Sequence, residues 1–233
     1  MERVLERRLV EFLDKHPEIE KTGKKFRHKN SIHAISLPNK FSPELCRVLG
    51  IIHGDGNMSY GRIVITDKCF EYHSIIKRLF EKVFSVKPNV FHDEARHTYY
   101  SHIKRMALYK FLVEVLEVPK GSVRKKLSPP NYANAWNGKL KASYVAGLFD
   151  SEGHVGKSQA KISFTTTSKE VFVFVKNFLL ENEIKVSEYI RKRHVNPEYE
   201  IYLYGKQNIQ KFLNLVKLLH PDKVTKLKIF SFH

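Results

Sequence analysis

The sequence predicts an α+β protein built from two pseudo-symmetric halves of αββαββα type, and three observations carry that prediction. An apolar helical segment closing on an acid and a glycine occurs twice, at residues 48–56 and 145–153, with the closing glycines 97 residues apart. After each copy the same order of patterns follows: strand alternation, a helical stripe, a hairpin and another helical stripe. Between the copies, residues 119–139 hold three prolines and few apolar side chains, the composition of a connector. The repeat is far longer than any solenoid unit, so it reads as a duplicated domain.

In chain order, residues 1–40 form an N-terminal extension, 41–118 the first half, 119–139 the linker and 140–233 the second half. Val4, Leu5, Leu9, Phe12 and Leu13 make one helical stripe, and a basic, turn-rich stretch occupies 21–40. Ser42 followed by Pro43 is a helix start, and Gly56 is expected to end that helix. Residues 62–66 alternate as a strand, and Ile75, Ile76, Leu79, Phe80 and Val83 mark a helix. Segments 89–92 and 96–102 pair as a hairpin, and Leu108, Phe111, Leu112, Val115 and Leu116 mark the next helix. In the second half, 161–165 is a strand, and Thr167 and Glu170 have capping-box spacing before a helix bearing Val171, Val175, Phe178 and Leu179. Segments 188–193 and 200–204 form a hairpin, followed by the stripe Ile209, Phe212, Leu213, Val216 and Leu219.

Composition narrows the function. With 42% hydrophobic and 12% aromatic residues the chain can bury a core, which excludes a disordered basic tail. Its formal net charge of +17 points to a polyanion, either nucleic acid or an anionic membrane surface, and nucleic acid is favoured. No apolar run is long enough to span a bilayer, and the N-terminus lacks the layout of a signal peptide, so a cytoplasmic protein without a membrane partner is expected. Cys46 and Cys69 cannot build a disulfide framework or a four-cysteine zinc site, and Cys46 reads as core. The histidines are scattered without a local pair on a helix, so no transition metal is expected. Trp136 in the linker is expected to pack against the halves.

Small residues recur four apart, Gly50 with Gly54 and Gly147 with Ser151, on one face of each duplicated helix, which lets two backbones approach closely. Singly, each reads as an ordinary buried helix. Together they bring in Asp55 and Glu152, each at a helix C-terminus, where the macrodipole disfavours an anion by about 0.3–1 kcal/mol unless a cation offsets it. If the helices pack, the two anions meet, and like charges that close share a proton or hold a metal. Carboxylate oxygens suit a hard cation such as Mg²⁺. A metal held on a cationic surface is the arrangement expected of a phosphodiester-cleaving enzyme.

These two stretches resemble the LAGLIDADG motifs of homing endonucleases, and the resemblance extends over the element order from about Pro43 to the C-terminal helix. It implies a monomer whose motif helices form the interface between halves and whose antiparallel sheets form a saddle on double-stranded DNA with a long, asymmetric site. It implies divalent metal at Asp55 and Glu152, with the preceding Gly54 and Ser151 in the metal set, Mg²⁺ as cofactor and Mn²⁺ or Ca²⁺ as substitutes. Cleavage across a minor groove, leaving short 3′ overhangs, is also implied. The chain departs from the motif at His53, where the family has an acid that Asp150 retains, and this makes the halves unequal.

The expected DNA-facing residues are Arg62 and Thr66 on the first-half strand, Lys161, Ser163, Thr165 and Thr167 on the second, and Arg191, Arg193, Tyr202 and Tyr204 on the later hairpin. Strands of this kind enter a major groove. Family members also place basic side chains near the metal, for which Lys68, Arg105 and Lys206 are the candidates, with Arg105 opposite Lys206 when the halves are aligned on Phe111 and Phe212. Two alternatives stay open: an RNA maturase or splicing cofactor, and a non-catalytic DNA-binding regulator on the same scaffold. The termini lack the nucleophile and final Asn of protein splicing, so a free-standing intron-encoded enzyme is expected rather than an intein.

Overall fold

The computed structural model describes residues 2–122, 127–156, 159–192 and 196–228. Helix α1 (Glu2–Lys15) turns Leu5, Leu9 and Phe12 inward and leaves Val4 exposed. The turn-rich stretch after it contains a hairpin, β1 (Ile19–Thr22) with β2 (Lys25–His28), that burying Phe26, Ile35 and Leu37 ties to the core. The first half then runs α2 (Pro43–Asp55), β3 (Gly56–Ser59), β4 (Arg62–Asp67), α3 (Phe70–Phe84), β5 (Asn89–Asp93), β6 (Thr98–Lys104) and α4 (Met106–Glu114). The connector carries a short strand, β7 (Gly121–Ser122), paired with β3, and a 3-10 turn, Asn131–Ala135. The second half repeats the order as α5 (Gly138–Glu152), β8 (Gly153–Val155), β9 (Lys161–Thr166), α6 (Lys169–Glu181), β10 (Ser187–Arg191), β11 (Glu198–Tyr204) and α7 (Lys206–Leu215). A final helix, α8 (Pro221–Lys228), lies beyond the last stripe legible in the sequence.

Both motif helices begin on side-chain caps. The Ser42 hydroxyl accepts from the Leu45 N–H at 3.1 Å, and the Asn137 side chain accepts from the Leu140 N–H at 3.0 Å. Trp136 is buried against Phe41, Tyr132 and Tyr144, so the connector is packed onto the motif helices. The two sheets, in the orders β5-β6-β4-β3-β7 and β10-β11-β9-β8, correspond over four strands, β7 of the connector being added at the edge of the first, and every pairing is antiparallel. Gly56 faces Ile65 in the first and Gly153 faces Phe164 in the second, so each motif helix feeds directly into the same place in its sheet. Ile63 and Ile65, like Ile162 and Phe164, point to the helices and are buried, which leaves the intervening side chains on the opposite face.

Gly56 ends α2 as expected, in extended geometry (φ −80°); a Cβ there would lie 2.2 Å from the Ile52 carbonyl oxygen, so close approach is what requires glycine. One local expectation is corrected: Ser168, not Thr167, caps α6 by accepting from the Val171 N–H at 3.0 Å, and with Val171 in the third helical position there is a simple cap and no capping box.

His53 stands in α2 at the position that Asp150 holds in α5, and it is accommodated there without charge. Its ring is fully buried, and Nδ1 lies 2.7 Å from the Tyr144 hydroxyl across the helix interface. Burial pushes its pKa down to about 3, so the imidazole is neutral in the folded chain and takes a proton only on unfolding. Stability from this group is therefore full above the unfolded pKa and falls as pH drops from about 6.5 towards 3. Going from pH 7 to pH 5 should cost about 2 kcal/mol in urea unfolding, and His53→Asn should flatten that dependence.

Candidate catalytic centre and nucleic-acid interface

Helices α2 and α5 cross at their small residues. A Cβ on Gly50 would stand 2.2 Å from the Tyr144 carbonyl oxygen and 2.9 Å from the Gly147 Cα, and one on Gly147 would stand 2.3 Å from the Arg47 carbonyl oxygen. One turn on, a Cβ on Gly54 would meet the Ser151 Cβ at 2.3 Å and the Glu152 Cγ at 3.5 Å. The helices thus close on each other at the end where Asp55 and Glu152 are the last helical residues. Both carboxylates are partly exposed, and together they offer acceptor-only oxygen ligands beside the Ser151 hydroxyl. That donor set fits a hard divalent cation that keeps several waters.

The cation that the helix-end argument calls for is Lys223, on α8, which the sequence reading missed. Its Nζ donates to the carbonyl oxygens of Phe149 (2.9 Å), Ser151 (3.0 Å) and Asp150, capping the last turn of α5. Burial pulls its ammonium below the usual lysine range against Asp150, Asp55, Asp67 and Glu152, whose fields all pull it up. Lys223→Met should lower the unfolding free energy by about 1.5–3 kcal/mol in chemical denaturation, the range for a charged hydrogen-bond donor.

Asp150, the acid the second motif keeps, is fully buried and structural. Its Oδ1 accepts from the Leu219 and His220 N–H groups (2.7 and 3.0 Å), anchoring the start of α8, and its Oδ2 pairs with Arg47 at 2.6 Å. Burial, the largest influence, raises its pKa against Arg47, the two N–H groups and Lys223. Arg47 also donates to the Lys217 carbonyl oxygen at 2.5 Å, so one side chain of the first half ties down both the second motif and the approach to α8.

Beside Glu152 opens a recess lined by Thr165, Thr166, Thr167 and Glu198, with His53 and Phe164 at its base. Thr165 and Thr167, expected on the DNA face, thus come to the carboxylate end. Glu198, at the start of β11, is a further acid that the sequence reading did not single out, because nothing local distinguishes it from a surface glutamate.

On the second sheet, Ser163 pairs with Tyr202 and Lys161 with Tyr204, and the Lys161 Nζ stands 4.3 Å from the Tyr202 ring centroid. Thr165 pairs with Glu200, an acid on the same face that is only 4% exposed. Glu200 accepts from the Tyr202 hydroxyl and pairs with Arg191 at 3.0 Å, so Arg191 sits in an ion pair on this face. Arg193 lies outside the described residues. On the first sheet, Arg62 pairs with Lys104 and Thr66 with Tyr100, while Phe91, half exposed, packs on His102. A basic recess beside Arg62 is completed by His28, Asn30 and Ser31 of the N-terminal extension with Lys104 and Arg105.

Strand register separates the three basic candidates. Lys68 follows β4 about 7 Å along the strand axis from the level of Asp55, whereas Arg105 lies about 17 Å away at the opposite end of the sheet. Lys206 is likewise about 20 Å from the level of Glu152. Arg105 precedes α4, and Lys206 is the first residue of α7.

Residues 139–217 match the family model described as a LAGLIDADG-like domain. Among solved structures, the homing endonuclease I-DmoI in complex with DNA and Mn superimposes with a TM-score of 0.54 at 16% identity, over 75% of this chain and 96% of that one. Its complex with DNA and Ca gives 0.55 at 17% identity, over 80% and 97%. The N-terminal LAGLIDADG domain of DUF199/WhiA gives 0.54 at 14% identity, over 77% and 84%. A curated relative, a glutamine–fructose-6-phosphate aminotransferase of Methanocaldococcus jannaschii, is 23% identical over 208 residues, which are 86% of this chain and 19% of that enzyme. The chain therefore spans about a fifth of that relative, and the aminotransferase activity named for it belongs to the longer protein. Residues 139–217, within the second half, are therefore similar to a LAGLIDADG-like domain, and the chain as a whole has the two-half α+β fold of these solved structures, with a motif helix ending in Asp55 or Glu152 in each half.

Proposed function

We propose that this protein is a divalent-metal-dependent endodeoxyribonuclease that cleaves double-stranded DNA at a long, asymmetric site, acting as a monomer. The observation that supports this reading is the close approach of the motif helices at Gly54 and Ser151, the turn in which Asp55 and Glu152 end them, in a protein whose two sheets bear Arg62, Lys104, Lys161, Tyr202 and Tyr204. Asp55 and Glu152 would hold Mg²⁺, which, when bound, lowers the pKa of a water and stabilises the leaving oxygen of the phosphodiester. The chain's own residues position the substrate: the basic and hydroxyl side chains of both sheets take phosphates and base edges, and the unequal pairs Arg62–Lys104 and Lys161–Tyr204 suit an asymmetric target. Lys68, the basic candidate nearest the carboxylates, would steady the charge on the scissile phosphate.

Digesting a randomised DNA library with Mg²⁺ and with EDTA, then sequencing the ends, tests the reading. New ends at one extended sequence, present with Mg²⁺ and absent with EDTA, are expected. Specific retention of DNA with no new ends would replace it by the non-catalytic DNA-binding reading, which the equally good superposition on the WhiA domain supports.

A further inference from the structure

Where β4 runs into α3, the first half meets the beginning of α8, and Cys69, His220 and Asp222 converge there. One ligand atom from each lies within 4.8 Å of the other two. Cys69 and His220 are buried and Asp222 is exposed, so the cluster has a closed floor and an open mouth. We propose that Cys69, His220 and Asp222 hold a divalent cation of the zinc class that fastens α8 to the first half.

The donor chemistry selects the ion. Sulfur, imidazole nitrogen and a carboxylate oxygen suit Zn²⁺, and three protein ligands leave a fourth position for water at the exposed side. A thiolate and a carboxylate together balance the charge of one divalent cation. The second observation is the state of the histidine. His220 is 5% exposed, its Nε2 lies 3.3 and 3.4 Å from the two Asp67 carboxylate oxygens, and its Nδ1 is buried with no hydrogen-bond partner among the described residues. A ring nitrogen held by a carboxylate while the other stays unpaired is the arrangement of a metal-bound histidine oriented from behind. With Asp67 accepting the Nε2 proton, the lone pair left for a metal is on Nδ1. Asp67 is itself fixed by accepting from the Cys69 N–H at 2.6 Å.

Binding carries a cost at the sulfur: the Cys69 thiol donates towards Glu71 at 3.4 Å, and the ion must displace that proton to bind. Tetrahedral bonds to zinc put ligand atoms about 3.5 Å apart, so the cluster must tighten by roughly an ångström, a movement within reach of the exposed Asp222 side chain. The sequence expectation of no transition metal rested on local spacing of cysteine and histidine; these ligands come from positions 69 and 220, which only the docking of α8 brings together. The site is chemically distinct from the all-oxygen pair Asp55 and Glu152, so it stands or falls independently of the nuclease reading.

Titration of the full chain with Co²⁺ is the test, because a thiolate bound to cobalt gives a charge-transfer absorption that oxygen ligands cannot. One equivalent should develop that band. Cys69→Ser should abolish it, Cys46→Ser should keep it, and the Asp55→Asn, Glu152→Gln double variant should keep it too. Asp222→Asn, an exposed change that does not burden the fold, should weaken Co²⁺ binding at least tenfold, and Asp67→Asn should weaken it by about 10–100-fold. Absence of the band in the wild-type chain, or an unchanged affinity in Asp222→Asn, would overturn the proposal.

Discussion

Glu152→Gln is expected to lower the rate of double-strand cleavage by about 10³-fold or more while leaving DNA retention in a Ca²⁺-containing binding assay within about threefold of wild type. The substitution keeps the side chain's shape and one oxygen but removes the charge, and Mg²⁺ binds through carboxylate charge and near-ideal octahedral geometry. Asp55→Asn should behave alike, because the tight approach of Gly54 to Ser151 and Glu152 places both acids at one end of one interface. Stability separates this from a folding defect. Both acids end helices whose dipoles disfavour an anion, and Lys223 offsets that cost, so the two effects oppose each other and each neutral variant should unfold within about 1 kcal/mol of wild type. Loss of activity with little change in stability is the signature of a metal-binding carboxylate. Full nicking and cleavage in both variants would remove these residues from the chemistry.

Much of this architecture is legible in the sequence because it is local. The small-residue faces Gly50/Gly54 and Gly147/Ser151, the alternation of Lys161, Ser163 and Thr165 with Ile162 and Phe164, and the Ser42–Pro43 start each need only neighbouring residues to be read. What stayed hidden depends on contacts across long stretches of chain. Helix α8 buries little beyond Leu227, so its stripe is too thin to recognise, yet it delivers Lys223 to the end of α5 and His220 to Asp67. Asp150 shows its role only once Leu219 and His220, about seventy residues later, donate to it. Glu200 occupies a position that alternation assigns to the wet face, and its burial under Tyr202 and Arg191 follows from cross-strand pairing that no single strand encodes. Arg105 and Lys206 look equivalent by helix alignment, but register carries both to the end of the sheet away from the carboxylates.

The largest stability effect is expected at the helix crossing. Gly147→Leu would set a Cβ 2.3 Å from the Arg47 carbonyl oxygen and 2.9 Å from the Gly50 Cα, and both obstacles are backbone atoms that cannot rotate aside. The helices would have to separate along the interface that carries most of the contact between halves, which should cost about 3 kcal/mol or more and shift the denaturation midpoint accordingly. Gly138→Ala is the matching control: a Cβ there meets nothing within 4 Å, so the same helix should keep its stability or gain about 0.4–1 kcal/mol. The crossing also sets the distance between Asp55 and Glu152, and Gly54 tests that link more gently. Gly54→Ala places its methyl 2.3 Å from the Ser151 Cβ, so it should reduce both stability and metal-dependent cleavage, and adding Ser151→Gly, which clears that atom from the partner helix, should restore both. If the double variant recovers stability without recovering cleavage, the spacing of the helices does not by itself set the metal site; if Gly54→Ala alone is harmless, the close approach of the two motif helices is not what holds the halves together.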